Sequence, residues 1–331
     1  MKNLLTDVAG VRVGHADDRA LGSGVTAVLF DKPAVAAIDV RGGGPGIRDG
    51  ALLDPVNVVE KVDGIALSGG SAFGLEAGDG VQAWLAEQGR GFRIREAVVP
   101  IVPGAICFDL LNGGNKQWGR FAPYRDLGYA AAAAASTSFA LGSVGAGLGA
   151  TVANLKGGLG SASAKTEDGV CVGAIAVVNA VGTTTIGDGP WFWAAPFEIG
   201  AEFGGRGMPA SFTPDMLKMR LKGGAAANAS ENTTLAVVVT DAALTKPQAQ
   251  RLAMIAQTGF ARAIYPVHAP LDGDVVFAAA TGERPIDPLI GVTELGMVAA
   301  NVVARAIARG VFAATALPFP GALPAWTDRF G

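Results

Sequence analysis

The run Thr233-Thr-Leu-Ala-Val-Val-Val-Thr240 constrains this chain more than any other segment. It is β-branched and apolar without the polar alternation of a half-wet strand, so it reads as a strand buried in the core. Immediately upstream stands a polar, loop-like stretch, Asn228-Ala-Ser-Glu-Asn232. A hydroxyl is thereby set at the boundary between a flexible and a rigid segment, where a chain can cut itself and keep its new amino end fixed. The plainer alternative is that two threonines open a strand because β-branched residues suit a pleated surface.

Glycine, 48 residues of 331, comes in short clusters between apolar runs: Gly42-Gly43-Gly44-Pro45-Gly46, Gly69-Gly70, Gly113-Gly114, Gly157-Gly158 and Gly223-Gly224. So distributed, it marks sharp turns and close backbone approaches and not a disordered linker. Strands are expected at 24–30, 34–39, 64–67, 98–102, 170–179, 234–240 and 275–279. Helices are expected at 72–88, 245–258 and about 288–309. Thr245 with Gln248 forms a capping box, Leu252, Ile255 and Ala256 make an inward stripe, and Gly259 is the expected stop. The apolar stretch 127–155 is Ala- and Gly-rich and broken by serines, so it predicts an internal helix from Tyr129 to about Ala140 and not a membrane span. The stretch from about Phe203 to Asn232, weakly periodic, is expected to be exposed and mobile. Strands and helices mix without strict alternation, which predicts sheets sandwiched between helices in a single domain, 1–331.

With 26 Lys and Arg against 29 Asp and Glu and no basic tract, the chain has little attraction for nucleic acid or an anionic membrane. Cys107 and Cys171 are expected as buried thiols, the beginning of the chain lacks the pattern of a secretion signal, and a cytoplasmic location is expected.

Several motifs compete. Gly145-Ala-Gly147-Leu-Gly-Ala150 fits a loose dinucleotide fingerprint with Glu167 or Asp168 about 20 residues on, but no strand leads into it and Gly157-Gly158 cuts short any following helix. No cofactor is expected. His15 and His268 are far apart and neither has a second ligand at helical spacing, so no metal is expected; nor does the sequence recommend either for a triad. Ser68-Gly-Gly-Ser71 lacks the Gly-x-Ser-x-Gly of a nucleophile elbow and reads as a turn into a helix with Ser71 as its cap.

A hydrolase poor in histidine needs another base, and a free α-amine, with a reference pKa of roughly 8, serves a neighbouring hydroxyl. Cleavage between Asn232 and Thr233 would create that amine on the nucleophile itself. The products would be an α chain, 1–232, and a β chain, 233–331, held together by a shared core.

At this point the sequence resembles the L-aminopeptidase/D-esterase family, which includes beta-peptidyl aminopeptidases and nylon-oligomer hydrolases. The resemblance runs along nearly the whole chain: Gly10-Val-Arg-Val-Gly-His15, Val40-Arg-Gly-Gly-Gly-Pro45, Leu67-Ser-Gly-Gly-Ser-Ala-Phe-Gly-Leu75, Gly142-Ser-Val-Gly-Ala-Gly147, Gly157-Gly-Leu-Gly-Ser161, Val177-Val-Asn-Ala-Val-Gly182, Asn232-Thr-Thr-Leu235, Val239-Thr-Asp241 and Asp272-Gly-Asp274. It implies an α+β fold, a four-layer αββα sandwich of N-terminal-nucleophile type, maturing by self-cleavage into a homo-oligomer of cleaved protomers. It assigns Thr233 as nucleophile, Asn179 as an oxyanion donor, and Asp272 and Asp274 as the acidic pair beside the nucleophile. One carboxylate would hold the Thr233 hydroxyl and ammonium while the other orients the first or meets a substrate amine. A net negative pocket would follow, favouring substrates with a free ammonium.

Two positions depart from the family pattern. Phe108 stands where some relatives carry a tyrosine, and a lysine found in others falls at about Asn154, with Lys156 two residues on. The implied activity is release of N-terminal residues from small peptides, amino acid amides or esters. The alternatives are an endo-acting hydrolase of ω-amino acid oligomers, an acyltransferase of the ornithine acetyltransferase type, and an uncleaved binding protein.

Overall fold

The computed structural model describes residues 1–223 and 232–331. The polar stretch just upstream of Asn232, including Asn228 to Glu231, lies outside the described residues, as does Gly224. The strands are β1 (Val11–Asp18), β2 (Ser23–Val40), β3 (Ile47–Arg48), β4 (Lys61–Ser68), β5 (Phe92–Ile94), β6 (Ala97–Val99), β7 (Gly104–Ile106), β8 (Gly158–Lys165), β9 (Cys171–Asn179), β10 (Thr233–Ala242) and β11 (Val275–Arg284). The helices are α1 (Ala77–Glu87), α2 (Tyr124–Ala133), α3 (Lys246–Ala256), α4 (Thr258–Ala261), α5 (Ile290–Phe312) and α6 (Trp326–Phe330).

One strand, β2, ties the molecule together. Its first half pairs with β1 and β4, its second half with β11, and the register shifts between Leu29 and Ala34. The two strands expected at 24–30 and 34–39 are thus one, because an irregularity at the exposed residues Asp31-Lys32-Pro33 bends the strand without ending it. The sheet order is β3-β7-β4-β2-β11-β10-β9-β8, with β1 beside β2.

Alternation along the strands sorts the side chains into three interfaces. Val25, Ala27 and Leu29 pack outward on Val81, Leu85 and Tyr124, under α1 and α2. Val28, Phe30, Ile65 and Leu67 face Ile175, Val177, Leu235, Val237 and Phe277 in the middle of the molecule. Ala236, Val238, Val276 and Ala278 lie under Leu252, Leu295, Val302 and Val303 of α3 and α5. The result is a four-layer αββα sandwich in which β10 is covered on both faces, as its unbroken apolar run requires.

Several local expectations need correction. The helix expected from Tyr129 to Ala140 is α2, which ends at Ala133 because Ser136 exchanges backbone hydrogen bonds with Val13 (2.9 and 3.0 Å) and draws the chain out straight. The capping box of α3 is present, but Gly259 is not its stop. That glycine sits inside α4, where a Cβ would run into the Ala300 carbonyl and Val303 of α5. Helix α5 continues past Gly310 to Phe312. Ser71 caps nothing: Gly70 holds the cap position of the 3₁₀ turn 71–76, and Ser71 itself has φ 53°. Of the strand expected at 98–102, only 98–99 are in a strand, as part of β6 in a small exposed hairpin with β5, and the main-sheet strand β7 begins later, at Gly104. Of the stretch expected to be exposed from Phe203 onward, Phe203 is buried in the core and most of residues 204–223 are exposed.

Candidate active site

Strand register assembles the site. Thr233, first residue of β10, lies opposite Asn179, last residue of β9, in antiparallel pairing. On the other side, parallel pairing sets Leu235 against Val275, so the turn Asp272-Gly273-Asp274 that opens β11 lies beside Thr233 and Thr234. All of these groups are buried: Thr233 and Asn232 are 3% exposed, Asp274 1%, Asn179 and Asp272 0%.

The Thr233 hydroxyl donates to the carbonyl oxygen of Asn232, the residue whose carbonyl it would attack. Gly273 N–H donates to the same oxygen at 3.1 Å. A Cβ at position 273 would stand 2.5 Å from the Thr233 hydroxyl oxygen, so glycine keeps that space open. The glycine cluster after Val40 has a purpose here as well. Arg41 and Gly44 donate their N–H groups to the carbonyls of Asp274 and Asp272 (3.0 and 2.8 Å), and a Cβ on Gly42 would collide with that turn.

The two carboxylates are held differently. Asp274 accepts from Thr234 N–H at one oxygen (2.9 Å) and from the backbone N–H (3.1 Å) and ring Nδ1 (2.9 Å) of His268 at the other. Asp272 accepts one long bond, from Val181 N–H at 3.3 Å, and its second oxygen has no partner among the described residues. Burial first, then the neighbouring Asp274 charge, push its carboxyl far above the ordinary range. Within the pair, Asp272 is the carboxyl whose protonated form burial favours.

Asn179 is locked. Its side-chain oxygen accepts from Thr151 N–H and Lys222 Nζ, both at 3.0 Å, and its side-chain nitrogen donates to the Phe108 carbonyl at 3.0 Å. Two donors on one side and an acceptor on the other fix which way the amide points. Beyond Asn179 opens a cavity of about 280 Å³ lined by Phe108, Leu111, Thr151, Lys156, Lys222 and Leu317, among others. Phe108, without a hydroxyl, contributes through its backbone.

Lys156 is 1% exposed and gives one proton to each of three carbonyls, Gly147, Ala150 and Gly157, at 3.0, 2.7 and 2.8 Å. Burial pulls its pKa down to about 7, yet only the ammonium form fills three acceptors, so it clamps the glycine-rich loop beneath the cavity. Asn154 is not brought into this network; both its side-chain polar atoms are buried without a hydrogen-bond partner among the described residues. The wall of the cavity beyond Asn179 carries Lys156 and Lys222 with Asp109; Thr233, Asp272 and Asp274 do not line it.

Two residues of this site carry no sequence signal of their own. Lys222 lies at the end of an irregular segment, and His268 lies in the turn before Asp272, where nothing local shows that it meets Asp274. Cys107 and Cys171 are buried free thiols.

The sequence profile of peptidase family S58 matches residues 3–322. An uncharacterised aminopeptidase of Mycobacterium tuberculosis strain H37Rv is 44% identical, over 99% of this chain and 98% of its own length. A 6-aminohexanoate-oligomer endohydrolase of Kocuria sp. is 28% identical, over 92% and 85%. Among solved structures, a Burkholderia sp. beta-aminopeptidase superposes with a TM-score of 0.71 at 23% identity, covering 99% of this chain and 93% of that one. The L-aminopeptidase D-Ala-esterase/amidase of Ochrobactrum anthropi, described as a variant of the Ntn hydrolase fold, gives 0.70 at 20% identity, covering 99% and 92%. The chain belongs to peptidase family S58, is a hydrolase of amide bonds, and shares the fold of the Ntn-type hydrolase structures on which it superposes.

Proposed function

We propose that maturation occurs at the Asn232–Thr233 bond and that the mature protein is an aminopeptidase acting on small peptides, amino acid amides or esters. The observation that carries this reading is the contact between the buried Thr233 hydroxyl and the Asn232 carbonyl, whose oxygen also receives Gly273 N–H. Thr233 Oγ bonds to the Asn232 carbonyl carbon, the carbon–nitrogen bond breaks, and the hydroxyl proton passes to the departing Thr233 nitrogen. Water then splits the ester, leaving a carboxylate on Asn232 and a free amine on Thr233. In turnover that amine takes the hydroxyl proton as Thr233 Oγ attacks the substrate carbonyl and the Asn179 amide meets the oxyanion; the substrate C–N bond then breaks, the leaving amine receives the proton, and water splits the acyl ester to restore Thr233.

The acyl group would occupy the cavity beyond Asn179. The similarity to the mycobacterial aminopeptidase over nearly the whole chain supports exo action. Thr233→Ala is expected to give a single uncut, inactive chain by intact mass and N-terminal sequencing. A cut between 232 and 233 in that variant would overturn the assignment. Free-amine amides should be hydrolysed, and N-acetylated ones ignored. The opposite order would favour endo action of the kind named for the Kocuria relative.

A further inference from the structure

We propose that His268 is a positioning residue for this chemistry, acting through Asp274; the proposal rests on the assignment of Thr233 as nucleophile. His268 puts both its backbone N–H (3.1 Å) and its ring Nδ1 (2.9 Å) on the same oxygen of Asp274, while the other oxygen takes Thr234 N–H (2.9 Å). A carboxylate gripped from both sides cannot rotate. Asp274 thereby fixes the backbone one residue beyond the nucleophile, and His268 fixes Asp274.

Three further features support a built arrangement. An ionised carboxylate only accepts, so the Nδ1 facing it carries the hydrogen. His268 adopts φ 53°, in the left-handed region that few residues other than glycine enter, and this conformation accompanies the backbone and ring contacts to one oxygen. The ring also lies on Phe260, with centroids 5.8 Å apart, and it is the partly exposed member (24%) of a pair whose carboxylate is 1% exposed. The neighbouring Asp272 sharpens the need for this grip. Its side chain takes one long hydrogen bond, from Val181 N–H at 3.3 Å, so the hold on the backbone beside the nucleophile falls to Asp274.

The test separates donation from mere bulk. His268→Gly keeps the backbone donor, relieves the left-handed strain and removes the ring. His268→Asn tolerates that conformation and restores a side-chain N–H. Self-cleavage of His268→Gly is expected to slow by about tenfold to a hundredfold, the range for losing a hydrogen bond to a charged group. In the fraction that matures, kcat should fall with KM nearly unchanged, and His268→Asn should recover most of both rates.

Maturation and turnover of His268→Gly at the unmodified rate would overturn the proposal. So would a His268→Asn variant as slow as the Gly variant. Should His268→Gly fail to fold, judged by melting in a Thr233→Ala background, the Asn variant still decides, since only donation to Asp274 predicts near-normal rates for it. A cut between residues 232 and 233 in the Thr233→Ala control would instead remove the underlying nucleophile assignment.

Discussion

Gly273 is the residue at which steric and electronic demands meet. Its N–H lies on the oxygen of the carbonyl under attack, and its missing Cβ leaves the space beside the Thr233 hydroxyl. Gly273→Ala keeps the N–H but sets a Cβ 2.5 Å from the Thr233 hydroxyl oxygen, so it is expected to stay largely uncut, its self-cleavage slowed by roughly a hundredfold through displacement of the nucleophile. A time course of intact mass would check it. Asp272 makes a second prediction. Its carboxyl is raised to about 8 in the folded chain, which therefore holds a proton that the unfolded chain releases. Stability should fall as pH rises from the ordinary carboxylate range toward that raised value. In the uncut Thr233→Ala background, urea midpoints should drop between about pH 5 and about pH 8, and Asp272→Asn should flatten the drop. Part of the slope will persist, because burial raises Asp109 in the same direction.

At the scale of the element, β8 and α5 show what local pattern hides. The segment 158–165 is rich in glycine and serine and gave no strand signal, yet it pairs along its length with β9. Its composition comes from the helix above. A Cβ on Gly160 would enter the Ala306 carbonyl and the Gly310 nitrogen of α5, so backbone packs on backbone at that point. Gly160→Val, favourable for strand propensity alone, should destabilise the protein by about 1–3 kcal/mol through overpacking, read as a lower urea midpoint. By contrast β10 and α3 were legible, because a continuous apolar run and a capping box carry their own physics: burial on both faces for one, and paired terminal donors for the other.

On the scale of the whole molecule, the proposed cut divides a single sheet without separating it. Strand β10 stays between β9 of the first fragment and β11, and β11 stays against β2, so the hydrogen-bond ladders and the core between the layers cross the break. Fragments 1–232 and 233–331 are expected to co-elute on gel filtration under native conditions and to part only in denaturant. Separate elution of the native fragments would contradict this. Within this frame, the amino-acid sequence by itself determined what depends on near neighbours: a buried strand opening at Thr233, the capping box of α3, and the residue types that a histidine-poor hydrolase uses. Only the tertiary structure decided that Asp274 is gripped by His268, that Asn179 is held by Lys222 and Thr151, and that the cavity wall is not acidic. Those contacts join segments tens of residues apart, or turns whose direction no local rule sets. Their existence depends on strand register and layer packing, which the pattern of any one segment does not encode.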